Sequence, residues 1–157
     1  MSARVGLGFD SHALVEGRPC ILGGVRIPHA SGPSGHSDGD AVLHAIADAL
    51  LGAAGLDDLG TLFPDSDPTW EGADSAELLK TVIEKVGAAG FRVVNVDVVI
   101  AADSPRIAPH RAAMRARIAE LCGIDASSVN VKGKTLAGLA AAGRGSSVAA
   151  QALCLLE

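Results

Sequence analysis

At 157 residues the chain is long enough for one domain with a real hydrophobic core. Its 48% hydrophobic content excludes a disordered chain, and a formal net charge of −5 leaves no basic field to attract nucleic acid. One Trp, three Phe and no Tyr mean that Ala, Val, Leu and Ile must fill the core.

Taken in chain order, Arg4–His12 predicts a first strand running into polar residues. Cys20–Ile27 predicts a short hairpin around Gly23-Gly24, and Ala30–Gly35 a Gly/Pro/Ser loop. A helix is expected from Ser37, where Ser37 and Asp40 have capping-box spacing, to Gly52 or Gly55. Asp58–Trp70 reads as a loop. Asp74 and Glu77 form a second capping box, followed by the apolar stripe Leu78, Leu79, Val82, Ile83 and Val86, with Gly90 as the stop.

Phe91–Ala102 is rich in β-branched residues and predicts a strand with Val94, Val96, Val98 and Ile100 on one face and Asn95 and Asp97 on the other. Pro105 and Pro109 open a third helix that runs to Cys122 and stops at Gly123. Val129–Lys134 and Val148–Leu156 complete the strands. The expected fold is α+β: one domain over residues 1–157, with a four-stranded mixed sheet covered by helices on one face and a small N-terminal hairpin. The three cysteines, Cys20, Cys122 and Cys154, form no CxxC pair and read as reduced core residues of a cytoplasmic protein. No signal peptide opens the chain. The longest apolar run, near residues 41–54, is interrupted by His44 and Asp48, so no membrane partner is expected.

Asp10 and His12 end the first strand on one side of it, because strand side chains repeat every two residues. His44 stands in a helix that is otherwise apolar apart from Asp48. Two His and one Asp make the three-ligand set of a catalytic zinc site, with a fourth position left for substrate or water. Asp40 and Asp48, four residues either side of His44, could orient its imidazole. The same residues also fit a plain reading, in which D-x-H is a common dipeptide spacing and His44 a hydrogen-bonded core histidine.

His36-Ser37 precedes a helix N-terminus, where free N–H groups favour anions, or is simply a cap. Arg106, Lys132, Lys134 with Thr135, and Gly143-Arg144-Gly145 are candidate phosphate contacts or solvated surface charges. No Walker-type loop joins them, which disfavours ordinary NTP hydrolysis. Phe63-Pro64-Asp65-Ser66-Asp67-Pro68 suits a second metal, a substrate hydroxyl or a rigid Asx-turn loop.

In combination these motifs resemble the 2-C-methyl-D-erythritol 2,4-cyclodiphosphate synthase family. The resemblance runs through Gly6-Leu7-Gly8-Phe9-Asp10-Ser11-His12, Leu22-Gly23-Gly24-Val25-Arg26-Ile27-Pro28, and His36-Ser37-Asp38-Gly39-Asp40 with His44. It continues through Asp57 to Pro68, Gly72-Ala73-Asp74-Ser75, Val94-Asn95-Val96-Asp97, Pro105-Arg106 with Pro109-His110, Val129-Asn130-Val131-Lys132 and Gly143-Arg144-Gly145. It implies a homotrimer with interfacial active sites, acting on a cytidine diphosphate substrate. That substrate is 4-diphosphocytidyl-2-C-methyl-D-erythritol 2-phosphate, cyclised with release of CMP.

By that resemblance Asp10, His12 and His44 hold Zn2+, and His36 and Thr135 stabilise the transition state. Ser37 lies beside the phosphates. Asp58, Gly60, Phe63, Asp65 and Asp67 hold the methylerythritol part. Ala102, Pro105, Arg106, Lys134 and Thr135 embrace the cytidine diphosphate of a neighbouring site, and Arg144 faces an anionic group nearer the trimer axis.

The sequence departs from the family pattern near its end. Ala137 stands where the family has a Glu that helps hold a second divalent ion, Mg2+ or Mn2+. Ala140-Ala141-Ala142 replaces the residues before Gly-Arg-Gly, and Lys134 replaces a Thr. An Ala side chain binds no magnesium, so Lys134 is expected to supply fixed positive charge in its place. Two other functions remain open on the residues: a catalytically weak, zinc-stabilised trimer that binds a cytidine nucleotide or isoprenoid diphosphate, and a metal-dependent phosphohydrolase.

Overall fold

Two glycines set the packing of the whole molecule. Gly6 and Gly8 lie on the covered face of β1 (Arg4–Glu16), and a Cβ at either would collide with helix backbone: Ala49 and Ala53 at Gly6, Ala45 and Ala49 at Gly8. Without side chains there, α1 (Ala41–Ala54), which is lined by alanines, settles directly on the strand and runs antiparallel to it.

The protein, a computed structural model, is described for residues 2–136 and 146–157. After β1 comes the hairpin β2 (Cys20–Leu22) and β3 (Val25–Ile27), whose Gly23 and Gly24 both have positive φ, at 63° and 71°. Then follow β4 (Ser31–Pro33), α1, the single turn α2 (Leu59–Leu62), α3 (Ser75–Ala88), β5 (Val93–Ala102), α4 (Arg111–Cys122), β6 (Val129–Lys134) and β7 (Ser147–Leu156). Short 3-10 turns sit at Pro68–Trp70, Ala108–His110 and Ala126–Ser128.

The main sheet has five strands in the order β4-β1-β7-β5-β6, not the four expected. The addition is β4, which pairs antiparallel with Leu14–Glu16 of β1. Ser-Gly-Pro carries no strand signal, and Pro is tolerated because β4 is an edge. The first strand correspondingly runs four residues beyond His12, to Glu16. The sheet is mixed: β1, β7 and β5 are antiparallel neighbours, while β5 and β6 run parallel and are joined through α4, as a parallel pair requires a crossover.

Other boundaries also moved. The capping residue of α1 is Asp40, not Ser37. Asp74 caps α3 as expected, but Glu77 pairs with Lys80 and does not reach back to close a capping box. In β5 the alternation holds from Val96 to Ile100, whereas an irregular register between Val93 and Asn95 buries Val93 in place of Val94.

The buried residues form one core between the sheet and its helices, with α1 on β1 and β7, α3 against α1, and α4 against β6. Arg111 and Arg115 of α4 donate to the carbonyls of Val131 and Val129 at 2.8 Å each, covering the outer side of edge strand β6. The opposite sheet face carries no helix among the described residues; on its β1 and β7 part Val5, Leu7 and Phe9 are 63%, 60% and 61% exposed, beside Leu153, while its β5 and β6 part is polar. No described helix is long and apolar enough to cross a membrane.

Candidate active site

The contact of α1 on Gly6 and Gly8 carries His44, in the first turn of the helix, to the next covered positions of β1, which are Asp10 and His12. Asp10 Oδ2 accepts from His12 Nε2 at 2.8 Å and from His44 Nδ1 at 2.9 Å. The two rings meet edge-on with centroids 5.7 Å apart. One donor atom from each of the three side chains lies within 4.8 Å of the others, and all three residues are partly buried. Two imidazole nitrogens and a carboxylate oxygen suit a borderline divalent cation, so the donor set fits a metal site.

Burial alone would raise the Asp10 pKa. The hydrogen bonds and positive charge of the two imidazoles outweigh it and hold the carboxyl well below its usual range. For His44 burial works to lower the pKa, and Asp10 overrides it, so the net direction is up.

Asp40 and Asp48 do not orient His44. Asp40 is fully buried and accepts from the backbone N–H groups of Gly23, Gly24, Val42 and Leu43, tying the hairpin to the start of α1. Asp48 accepts from Leu59 N at 2.7 Å and anchors α2. The outer nitrogen of His44 meets serines instead: Nε2 is 2.8 Å from Ser75 Oγ and 3.2 Å from Ser37 Oγ. Ser75 donates its hydroxyl to Asp38 in a short hydrogen bond. Ser75 and Asp38 both lie in stretches that carry the family resemblance, but no spacing in the sequence ties either of them to His44.

A cavity of about 400 Å³ opens over this group, lined by Asp10, His12, His36, Ser37 and His44 on one side and Gly60, Phe63 and Asp65 on the other. Trp70 closes part of its wall, edge-on to Phe63 with ring centroids 4.9 Å apart. His36 Nε2 donates to the carbonyl of Asp67 at 3.3 Å. The carboxylates of Asp58 and Asp67 cap local turns at Thr61 N and Thr69 N, which bears out the rigid Asx-turn reading of Asp67 and lowers the pKa of both.

The remaining predicted residues collect elsewhere. In the strand register His12 faces Val148 of β7, which faces Ala102 of β5, and Lys134 of β6 pairs with Ala101. Ala102, Pro105, Arg106, Lys134 and Thr135 thus group around the ends of β5 and β6, and none of them lines the cavity. Asp103 accepts from Leu136 N at 2.8 Å and joins the two segments. Lys132 is paired with Asp97 at 2.6 Å on the uncovered face and does not line the cavity. Arg144 and Ala137, with Ala140-Ala141-Ala142, lie outside the described residues.

Comparison with known proteins places this geometry in a family. The sequence matches the YgbB family over residues 3–157. The chain belongs to the YgbB family. A Chromobacterium violaceum protein named 2-C-methyl-D-erythritol 2,4-cyclodiphosphate synthase is 57% identical over 153 residues, which cover 98% of this chain and 97% of that one. A solved structure of a synthase of the same name, in a CDP-bound form, superposes with a TM-score of 0.90 at 42% identity, covering 98% of this chain and 100% of that one. The bifunctional IspDF from Campylobacter jejuni superposes with a TM-score of 0.93 at 40% identity, and there the match covers 99% of this chain but 42% of that longer one.

Proposed function

We propose that the chain is a zinc-dependent cyclodiphosphate synthase of isoprenoid precursor synthesis, a phosphorus–oxygen lyase. It converts 4-diphosphocytidyl-2-C-methyl-D-erythritol 2-phosphate to 2-C-methyl-D-erythritol 2,4-cyclodiphosphate and CMP. The observation that carries this is the convergence of His12 and His44 on one Asp10 oxygen, beside the cavity, in a chain of this family.

In the reaction an oxygen of the 2-phosphate bonds to the β-phosphorus, and the bond from that phosphorus to the bridging oxygen breaks, leaving that oxygen with CMP. The nucleophile is already an anion, so no strong general base is needed; positioning and charge neutralisation are the task. Asp10, His12 and His44 would hold the zinc, which when bound would supply Lewis acidity and neutralise phosphate charge. His36 and Ser37 meet the phosphates at the cavity wall, and Gly60, Phe63 and Asp65 enclose the methylerythritol part. Asp58 and Asp67 keep that loop rigid through their caps.

The cytidine diphosphate is held by Ala102, Pro105, Arg106, Lys134 and Thr135 of a neighbouring subunit in a homotrimer, with Thr135 opposing His36 across the reacting phosphates. Two features support the shared site. Within one chain these residues stand apart from the cavity, and no helix among the described residues covers the exposed apolar side chains of β1 and β7. Exposed Lys134 supplies charge where the sequence has Ala137 in place of a ligand for a second Mg2+ or Mn2+. Three free, buried cysteines fit a cytoplasmic location.

Incubating the purified, zinc-loaded protein with the substrate and following phosphorus NMR tests the reading. The cyclic diphosphate and CMP are expected in equal amounts. A linear product would indicate a phosphohydrolase, and binding without CMP release a nucleotide-binding trimer; either overturns the proposal.

A further inference from the structure

We infer that Ser75 and Asp38 form a positioning relay behind His44 that fixes which imidazole nitrogen faces the metal and thereby sets metal affinity. This rests on the metal reading of Asp10, His12 and His44. The relay is built from two segments distant from β1. Asp38 lies in the turn before α1, and Ser75 is the first residue of α3, only 1% exposed.

The hydrogen-bond directions leave one assignment. Asp38 accepts Asp40 N–H on Oδ1 and Ser75 N–H on Oδ2, at 3.0 Å each. A carboxylate so surrounded offers acceptor capacity, and the Ser75 hydroxyl, also on Oδ1, donates its single proton there. Ser75 Oγ is then left with lone pairs, and the group facing it at 2.8 Å is His44 Nε2, which must donate. Ser37 Oγ, on the same nitrogen at 3.2 Å, is itself an acceptor for Gly39 N–H. Nε2 keeps its proton, so a cation displaces only the proton on Nδ1, the nitrogen already turned to Asp10. His12 faces the same oxygen through Nε2, so the two histidines present different nitrogens.

A partner on the remote nitrogen also makes the ligating nitrogen more basic and holds the ring plane. Ser75 is buried, and its hydroxyl meets His44 Nε2 on the side of the ring turned away from Asp10. α3 thereby joins the site through its first residue, although it supplies no ligand.

The test compares the full-length wild type with Ser75→Ala, Ser75→Thr and Asp38→Asn. Each is stripped of metal and titrated with zinc against a chromogenic chelator, and folding is checked by circular dichroism. Ser75→Ala and Asp38→Asn are expected to bind zinc about 10–100-fold more weakly, with the hydroxyl of Ser75→Thr restoring most of the loss. Long-range proton–nitrogen NMR of the histidine rings in the zinc-loaded wild type is expected to show His44 protonated at Nε2 and metal-bound at Nδ1. Unchanged affinity in both the alanine and asparagine variants overturns the relay, as does metal-bound Nε2 at His44 in the wild type, a result that needs no variant to fold. Wild type that binds no zinc, or that binds it equally well after Asp10→Ala, overturns the metal reading itself and the relay with it.

Discussion

Asp40 shows how one residue type at one spacing can serve a purpose its sequence position does not reveal. Four residues before His44, it suggested a partner for the imidazole; instead it accepts backbone N–H groups from the hairpin turn and from the first turn of α1. The reason is local. The capping position of a helix points its carboxylate at the helix's own N–H groups, and Gly23-Gly24 supplies more donors in the same place. Burial pushes the Asp40 pKa up to about 6, in spite of those hydrogen bonds. The folded state therefore holds a proton on Asp40 that the unfolded chain has lost between its ordinary 3.8 and about 6. With more protons bound when folded, stability must fall as pH rises through that window. The thermal midpoint of the wild type is expected to decline across it, and in Asp40→Asn that component of the slope should vanish. An identical slope in the variant would assign the decline to other groups. Asp10, His12 and His44 were legible as a set because strand alternation and an isolated polar residue in an apolar helix are both sequence patterns. Ser75 and Asp38 were not, because their relation to His44 exists only after α3 docks beside α1.

The elements divide in the same way. Helices and strands with strong periodicity or a β-branched run were readable: α3 begins after Asp74, β6 spans Val129–Lys134, and α4 stops at Gly123. β4 was hidden because its three residues form a strand only by pairing with the far end of β1. The start of α1 was displaced because Ser37 is drawn to His44 and Gly39, leaving the cap to Asp40. What places the site is the close approach of α1 to β1, and this yields a paired prediction. Gly8→Ala forces a methyl group onto the Ala45 carbonyl and should destabilise the fold by about 3 kcal/mol or more, while shifting His44 and weakening zinc binding. Gly52→Ala lies on the exposed side of the same helix with nothing within 4 Å, and should stabilise by about 0.5–1 kcal/mol without changing metal affinity. Urea denaturation with a parallel zinc titration measures both; equal effects of the two substitutions would show that the close approach is unimportant.

At the scale of the molecule, the sheet has one face under helices and, among the described residues, one uncovered face whose β1 and β7 part carries exposed Val5, Leu7, Phe9 and Leu153. A patch of exposed large apolar side chains marks a contact surface, and burying it against copies of the chain fits the proposed site shared between subunits. Phe9 points away from the metal residues, since its neighbour Asp10 faces the helices. Phe9→Glu is accordingly expected to yield a folded monomer by light scattering, with zinc affinity retained and cyclase turnover lost. A monomeric variant with full turnover would make each chain self-sufficient. This level was only partly legible: alternation predicted a covered face, but the apolar character of the other face emerges from the pairing of β1 with β7.

The guanidinium groups along β6 bear on how such copies can meet. A strand whose outward carbonyls are already occupied by Arg111 and Arg115 offers no template for another chain to zip onto, and at the far border β4 ends in a proline after only three residues. Growth sideways into a continuous intermolecular ribbon is thereby disfavoured along β6 and at β4. Copies that associate as proposed would therefore meet through the face of the sheet, where Val5, Leu7, Phe9 and Leu153 are exposed, in preference to its borders.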